Sequence, residues 1–105
     1  MRNIPIRKWN NGNLEQSTLG LIGTIFSGMK LEDMPKGLEQ FRLFSRLDNA
    51  FREAENTGTI HLEEADYALL KRIVEKHVPA IWAMNKNLSE TIDLIVNAEE
   101  VKLSA

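Results

Sequence analysis

The stretch LEQFRLFSRLDNAFREAENTGTIHLEEADYALLKRIVEKHV, residues 38–78, decides the fold. Its first part carries Leu38, Phe41, Phe44, Leu47, Phe51 and Ala54 at intervals of three and four. That spacing holds them on one stripe of a 3.6-residue helix. Leu43 and Ala50 widen the stripe, so two neighbours are expected against it, while Glu39, Arg42, Arg46 and Arg52 fall on the other side. The second part repeats the pattern with Leu62, Ala65, Leu69, Ile73 and His77, flanked by Leu70 and Val74. Glu63, Glu64 and Asp66 crowd its start, and Lys71, Arg72, Lys76 and His77 its end. Acid first and base last suits the helix macrodipole. The spacing predicts a helix over 38–55, a Gly-centred turn at Glu55-Asn56-Thr57-Gly58-Thr59, and a helix over 63–78. Two apolar stripes joined by a short turn can bury each other, which makes an antiparallel helical hairpin the expected packing.

Upstream, residues Asn3 to Trp9 alternate, with Ile4, Ile6 and Lys8 on one side and Pro5, Arg7 and Trp9 on the other. Pro5 removes a ladder donor and so favours an edge strand. Asn10-Asn11-Gly12-Asn13 is a turn signal, because Asn and Gly accept positive φ most readily. Leu14 to Gln16 can return as a second strand. The result is a β-ribbon over 3–16, laid on the helices with Trp9 as its anchor. Ser17 or Thr18 can cap a helix over 17–29 that is apolar almost all round, through Leu19, Leu21, Ile22, Ile25 and Phe26. Gly20, Gly23 and Gly28 each cost it about 1 kcal/mol relative to Ala, so this helix needs tertiary burial. The same small residues admit either a neighbouring helix or a binding or self-association face. Lys30 to Gly37, with Pro35, is a connector.

Downstream, Pro79 suits a first helical position. Ile81, Met84, Leu88, Ile92, Ile95 and Val96 then form a stripe that predicts a helix over 79–101. Asn85-Lys86-Asn87 is a candidate interruption, Ser89 a candidate restart cap, and Lys102 to Ala105 are expected to fray. The fold expected is mainly α: a single domain with a small bundle of about four helices around the central antiparallel hairpin, and a short N-terminal β-ribbon.

Composition removes several classes of chemistry. The chain has 105 residues, 13 Lys and Arg against 15 Asp and Glu, a net charge of −2, and no cysteine. Without cysteine there are no disulfides, zinc-thiolate sites, iron–sulfur ligands or thiol nucleophiles. The charge balance supplies no global field for nucleic acid or acidic lipid. No apolar run approaches the ~20 residues that span a bilayer, and Met1 to Pro5 lack a signal-peptide core. The expectation is a soluble protein of the cytoplasm or of a virion, without membrane contact.

One loop has ligand-like spacing. With Gly58 at position 6 of a calcium loop, Glu53, Glu55, Thr57, Thr59, His61 and Glu64 fall at positions 1, 3, 5, 7, 9 and 12. This stretch resembles an EF-hand, with departures. Glu53 is a methylene longer than the Asp wanted first, Thr57 carries no charge, and His61 is a poor ligand for a hard cation. The alternative is a helix ended by Gly58 in the left-handed conformation, with Ile60 and Leu62 in the core. His61 with Glu64, and His77 with Asp66, are the conceivable acid–base or metal pairs, but two histidines alone make no three-ligand zinc site. No nucleophile elbow or phosphate-cradling loop is present. The reading is no catalytic residue, no metal and no cofactor.

Two surface readings remain. Arg42, Arg46 and Arg52 share part of one helix surface and are the candidate nucleic-acid contacts, although Asp48 stands four residues before Arg52 and can pair with it. Trp9, Phe26, Met29, Met34, Leu43, Trp82 and Leu94 exceed the needs of one small core and are the candidate partner-binding residues. The segments Ile4-Pro5-Ile6-Arg7-Lys8-Trp9, Thr18-Leu19-Gly20 and Thr59 to Lys71 together resemble small helical proteins encoded by tailed bacteriophages and prophages. That resemblance implies a non-enzymatic role in virion assembly or in binding a host protein. The leading expectation is therefore a protein–protein interaction module that forms homo-oligomers, and the alternative is a nucleic-acid-binding accessory protein.

Overall fold

The computed structural model describes residues 1–100. The elements in order are β1 (Arg2–Pro5), β2 (Lys8–Asn11), β3 (Leu14–Ser17), α1 (Thr18–Ser27), α2 (Leu38–Thr57), β4 (Thr59–Leu62), α3 (Glu64–His77) and α4 (Lys86–Val96). Short 3-10 turns occupy Leu31–Asp33 and Ala80–Met84. The fold is mainly α, and none of the described helices is long and apolar enough to cross a membrane.

The hairpin reading needs one correction. α2 does not stop at residue 55 but runs to Thr57, and Gly58 alone reverses the chain at φ 82°, ψ 4°. The Gly58 N–H closes on the Ala54 carbonyl, so the left-handed residue satisfies one of the last helical acceptors. The next four residues are neither turn nor helix. They form β4, with Ile60 and Leu62 buried and His61 exposed. α3 then begins at Glu64.

β4 also corrects the N-terminal ribbon. Residues Asn3 to Trp9 are not one strand. β1 pairs antiparallel with β4, setting Ile4 opposite Ile60, whereas β2 pairs with β3 across a turn in which Gly12 has φ 65°. The break falls at Ile6 and Arg7. The Ile6 N–H donates to the Gly58 carbonyl and the Arg7 N–H to Thr18 Oγ1 at 2.8 Å. Two different partners thus claim the two halves of one alternating segment. Ser17 caps α1 by accepting from the Gly20 N–H.

The core is built from every layer: Ile4, Ile60 and Leu62 from the strands, Leu21, Ile22 and Ile25 from α1, Leu47 and Ala54 from α2, Leu70 and Val74 from α3, and Ile95 from α4. α3 touches α1, α2 and α4 and is the element they share. Its buried face is rotated from the expected stripe: Asp66 and Tyr67 are inside and Ala65 is outside. The Tyr67 hydroxyl donates to the Ile95 carbonyl at 2.7 Å, while the Arg2 guanidinium lies 5.0 Å from the ring centroid. The predicted helix over 79–101 is interrupted where the Asn-rich segment stands. The Asn85 side chain, not Ser89, accepts from the Leu88 N–H and opens α4. α4 ends at Val96, and the part of the expectation concerning Val101 and fraying of 102–105 lies outside the described residues.

Two outcomes follow from these contacts. A Cβ at Gly58 would meet nothing within 4 Å, so Gly58→Ala costs only the left-handed strain. The expected loss is about 1 kcal/mol in urea unfolding, with Gly58→Asn losing less. The chain has one tyrosine, and burial raises the pKa of Tyr67 from its ordinary value. Its contribution to stability is complete below the unfolded pKa and is lost as pH rises through the higher folded one. Phenolate absorbance of the native protein should therefore appear above the midpoint of the unfolded chain; coincident midpoints would contradict the burial.

Candidate functional site

α1 and α2 each pack on α3 and meet one another through the side chains of Phe26, Phe44 and Phe51. The space between them is an apolar cleft of about 570 Å³, walled by Leu19, Gly23 and Phe26 from α1 and by Phe44 and Phe51 from α2. A second basin of about 510 Å³ adjoins it, sharing Phe26 and Phe44 and lined further by Met29, Met34, Pro35 and Phe41. The saddle between the basins is aromatic. The Phe26 and Phe44 rings meet edge to face with centroids 5.8 Å apart, and Phe26 and Phe51 lie 6.3 Å apart.

The local sequence explains why the cleft stays open. α1 turns Leu21, Ile22 and Ile25 inward onto the core and leaves Gly20, Gly23 and Thr24 outside. A Cβ at Gly23 would meet nothing within 4 Å, so its glycine is not required by packing within this chain. Along α2, Leu47 and Ala54 are buried, Phe44 and Phe51 are half-buried on the wall, and Phe41 is 68% exposed at the rim. Leu38, three residues earlier on the same helix, is 63% exposed. The polar groups of the first basin are Asp48, Arg52 and Glu55, of which Arg52 donates to Asp48 at 2.8 Å. Lys36 borders the second basin. Such a lining can hold an apolar surface by burial and aromatic contact.

The residues singled out from sequence are not one surface. Phe26, Met29 and Met34 meet at the second basin, although Met29 is buried. Trp9 and Trp82 are half-buried and line a separate concavity. Leu43 is half-buried against the core, and only Leu94 of the seven is exposed, at 39%. The surplus apolar residues are thus mostly absorbed by packing. Phe41, Phe44 and Phe51, read from sequence as an inward stripe, supply the α2 wall instead. The available signal was the width of the stripe, since a helix apolar over so broad an arc has more surface than one core face covers.

Two of the three candidate arginines are held in ion pairs. Arg46 makes a bidentate contact with Asp66, Nε to Oδ1 at 3.0 Å and Nη2 to Oδ1 at 2.9 Å. The Asp66 side chain is 6% exposed and that of Arg46 55%. The carboxylate beside it raises the pKa of Arg46 through their hydrogen bond. With Arg52 on Asp48, Arg42 is the one of the three arginines without an ion pair among the described residues.

The proposed calcium positions do not converge. Glu53, Glu55 and Thr57 lie within α2, Thr57 Oγ1 bonds the Thr59 carbonyl at 3.0 Å, and Glu64 accepts from Arg2 Nε at 2.9 Å. Among the described residues no three His, Asp or Glu side chains gather into a metal-sized group. His61 pairs with Asn3, Nδ1 to Oδ1 at 2.7 Å, rather than with Glu64, and Asp66 is taken by Arg46 rather than His77.

No protein-family model, curated protein or solved structure matches this chain.

The Arg46–Asp66 pair yields a stability test. Arg46→Met leaves a buried carboxylate without its counter-charge and should lower the urea midpoint, whereas Arg42→Met should not. Converting both partners, Arg46→Met with Asp66→Leu, should recover most of the loss, because the apolar pair removes the stranded charge. A double variant less stable than Arg46→Met would show that Asp66 acts through other contacts.

Proposed function

We propose that the protein is a non-enzymatic binding module whose α1–α2 cleft receives an apolar, helix-like segment of a partner protein. The observation that carries this reading is an aromatic cleft left open beside the core, with Phe41 exposed at its rim. Exposed apolar surface of this kind is costly in water, and a contiguous concave patch of it marks interaction sites more often than scattered single residues do. Phe41, Phe44 and Phe51 line one wall of this groove, the kind of apolar surface on which an amphipathic helix of a partner lays its apolar face. The resemblance to small phage-encoded proteins supports a virion component or a host protein as the partner. A second copy of the chain in the same cleft is the homo-oligomeric form of this reading.

Gly23 separates binding from folding. Gly23→Leu places a side chain in the cleft where nothing of this chain stands. It should stabilise the fold by up to about 1 kcal/mol, as a better helix former, and at the same time abolish partner capture. Phe41→Asp should also abolish capture with little change in the urea midpoint. The measurement is photo-crosslinking from the Leu38 position, exposed one turn before Phe41, with identification of the captured chain, beside light scattering over a concentration series. Undiminished capture by both variants would end the proposal.

A further inference from the structure

Trp9 and Trp82 belong to distant parts of the chain, yet they line one concavity of about 340 Å³. It lies between the β2–β3 ribbon, α1 and the 3-10 turn before α4, with Leu21 and Leu88 as its apolar wall and Glu15 at its edge. The Trp9 indole N–H donates to Gln16 Oε1 at 2.8 Å, which fixes the ring in its plane. Gly20 keeps the neighbouring helix face low: a Cβ there would meet only Ser17 Oγ, at 3.7 Å.

Glu15 is the one charged side chain among those that line this concavity. The Arg7 guanidinium carbon already lies 5.6 Å from the Trp9 ring centroid, so this ring hosts a cation in the resting fold. Arg7 is itself bound, to the Asn87 carbonyl at 3.0 Å, Thr91 Oγ1 at 2.7 Å and Glu90 at 3.1 Å. Glu90 is shared, because Lys86 Nζ also approaches it at 4.0 Å. Glu15 has no ion-pair partner among the described residues, and no cationic side chain lines the concavity.

Two indole rings, an apolar wall and an unmatched carboxylate define a ligand class. Indole faces attract cations through the ring quadrupole, most effectively where the cation has shed its water. An alkylated ammonium meets this condition, because its charge is spread under methyl groups that suit Leu21 and Leu88. A compact, strongly hydrated cation does not. The geometry points to a binding site for alkylated ammonium groups between Trp9 and Trp82, with Glu15 as the counter-charge. The group can come from a free choline-like molecule or from a methylated lysine side chain.

The test is tryptophan fluorescence of the full chain at constant ionic strength, titrated with choline, with Nα-acetyl-trimethyllysine amide, and with neohexyl alcohol as the uncharged isostere of choline. A saturable change is expected with at least one cation, and binding of neohexyl alcohol should be weaker by about 10-fold. Glu15→Gln, at an exposed position, should weaken cation binding several-fold and leave the alcohol unchanged. Trp82→Leu should remove binding of both. Tighter binding of the lysine derivative would identify a protein side chain as the source, and tighter binding of choline a free molecule. Absence of saturation with either cation, equal binding of the alcohol, or an unchanged affinity in Glu15→Gln would each overturn the assignment, and none of these depends on Trp82→Leu folding.

Discussion

The pairing of β1 with β4 is the contact on which the rest of the structure depends. Ile4 and Ile60 face each other in register, both fully buried, and Leu62 follows on the same face. A two-stranded ribbon by itself is marginal in water. This one persists because each of its buried side chains contributes about 1.5–3 kcal/mol against the helices behind it. The dependence runs both ways. β4 packs on α2 and α3, so the strand pair holds the reversal at Gly58, and the reversal delivers the strand. Arg2 locks the edge by reaching Glu64 at 2.9 Å and the Ala98 carbonyl at 2.6 Å. One N-terminal side chain thereby joins the start of α3 to the segment after α4.

The open cleft is a consequence of that arrangement. The chain leaves β1 through Ile6 and Arg7, makes the β2–β3 ribbon, and returns to the same point, where Thr18 bonds Arg7. α1 must therefore start at the ribbon. α2 must end at Gly58, which the Ile6 N–H reaches. Both helices then meet α3, and the connector between them, with its 3-10 turn and Pro35, does not draw them together. Aromatic side chains partly fill the resulting wedge. They cannot close it, because Gly23 stands where a larger residue would complete the wall.

The sequence was most readable where local chemistry has one solution. Gly58 between two amphipathic runs forecast a left-handed helix end with Ile60 and Leu62 inward, as found. Asp48 and Arg52 at i and i+4 forecast their ion pair. Ser17 forecast a cap, and the Asn-rich segment forecast a break before α4. It was least readable where two partners compete. Thr59 to Leu62 alternates apolar and polar, but Leu62 also fits the start of the following helical stripe, and only the arrival of Arg2–Pro5 decides for the strand. Asp66 reads as a first-turn acid until Arg46 is seen across from it, twenty positions away. The alternation of Asn3 to Trp9 gives no sign that it divides between two partners.

Periodicity, glycine and capping residues by themselves determined the first three helical segments, their approximate limits and the reversal between the second and third helices, but not the start of the fourth. These depend on backbone sterics and on contacts within a few residues, which a linear reading contains. Tertiary structure alone decided which strand pairs with which, which face of the third helix turns inward, and that the phenylalanines of the second helix line a cleft. Those outcomes depend on whether a neighbour arrives to cover a given apolar surface. An apolar stripe states how much surface seeks cover, and only the packed chain shows how much of it is left open.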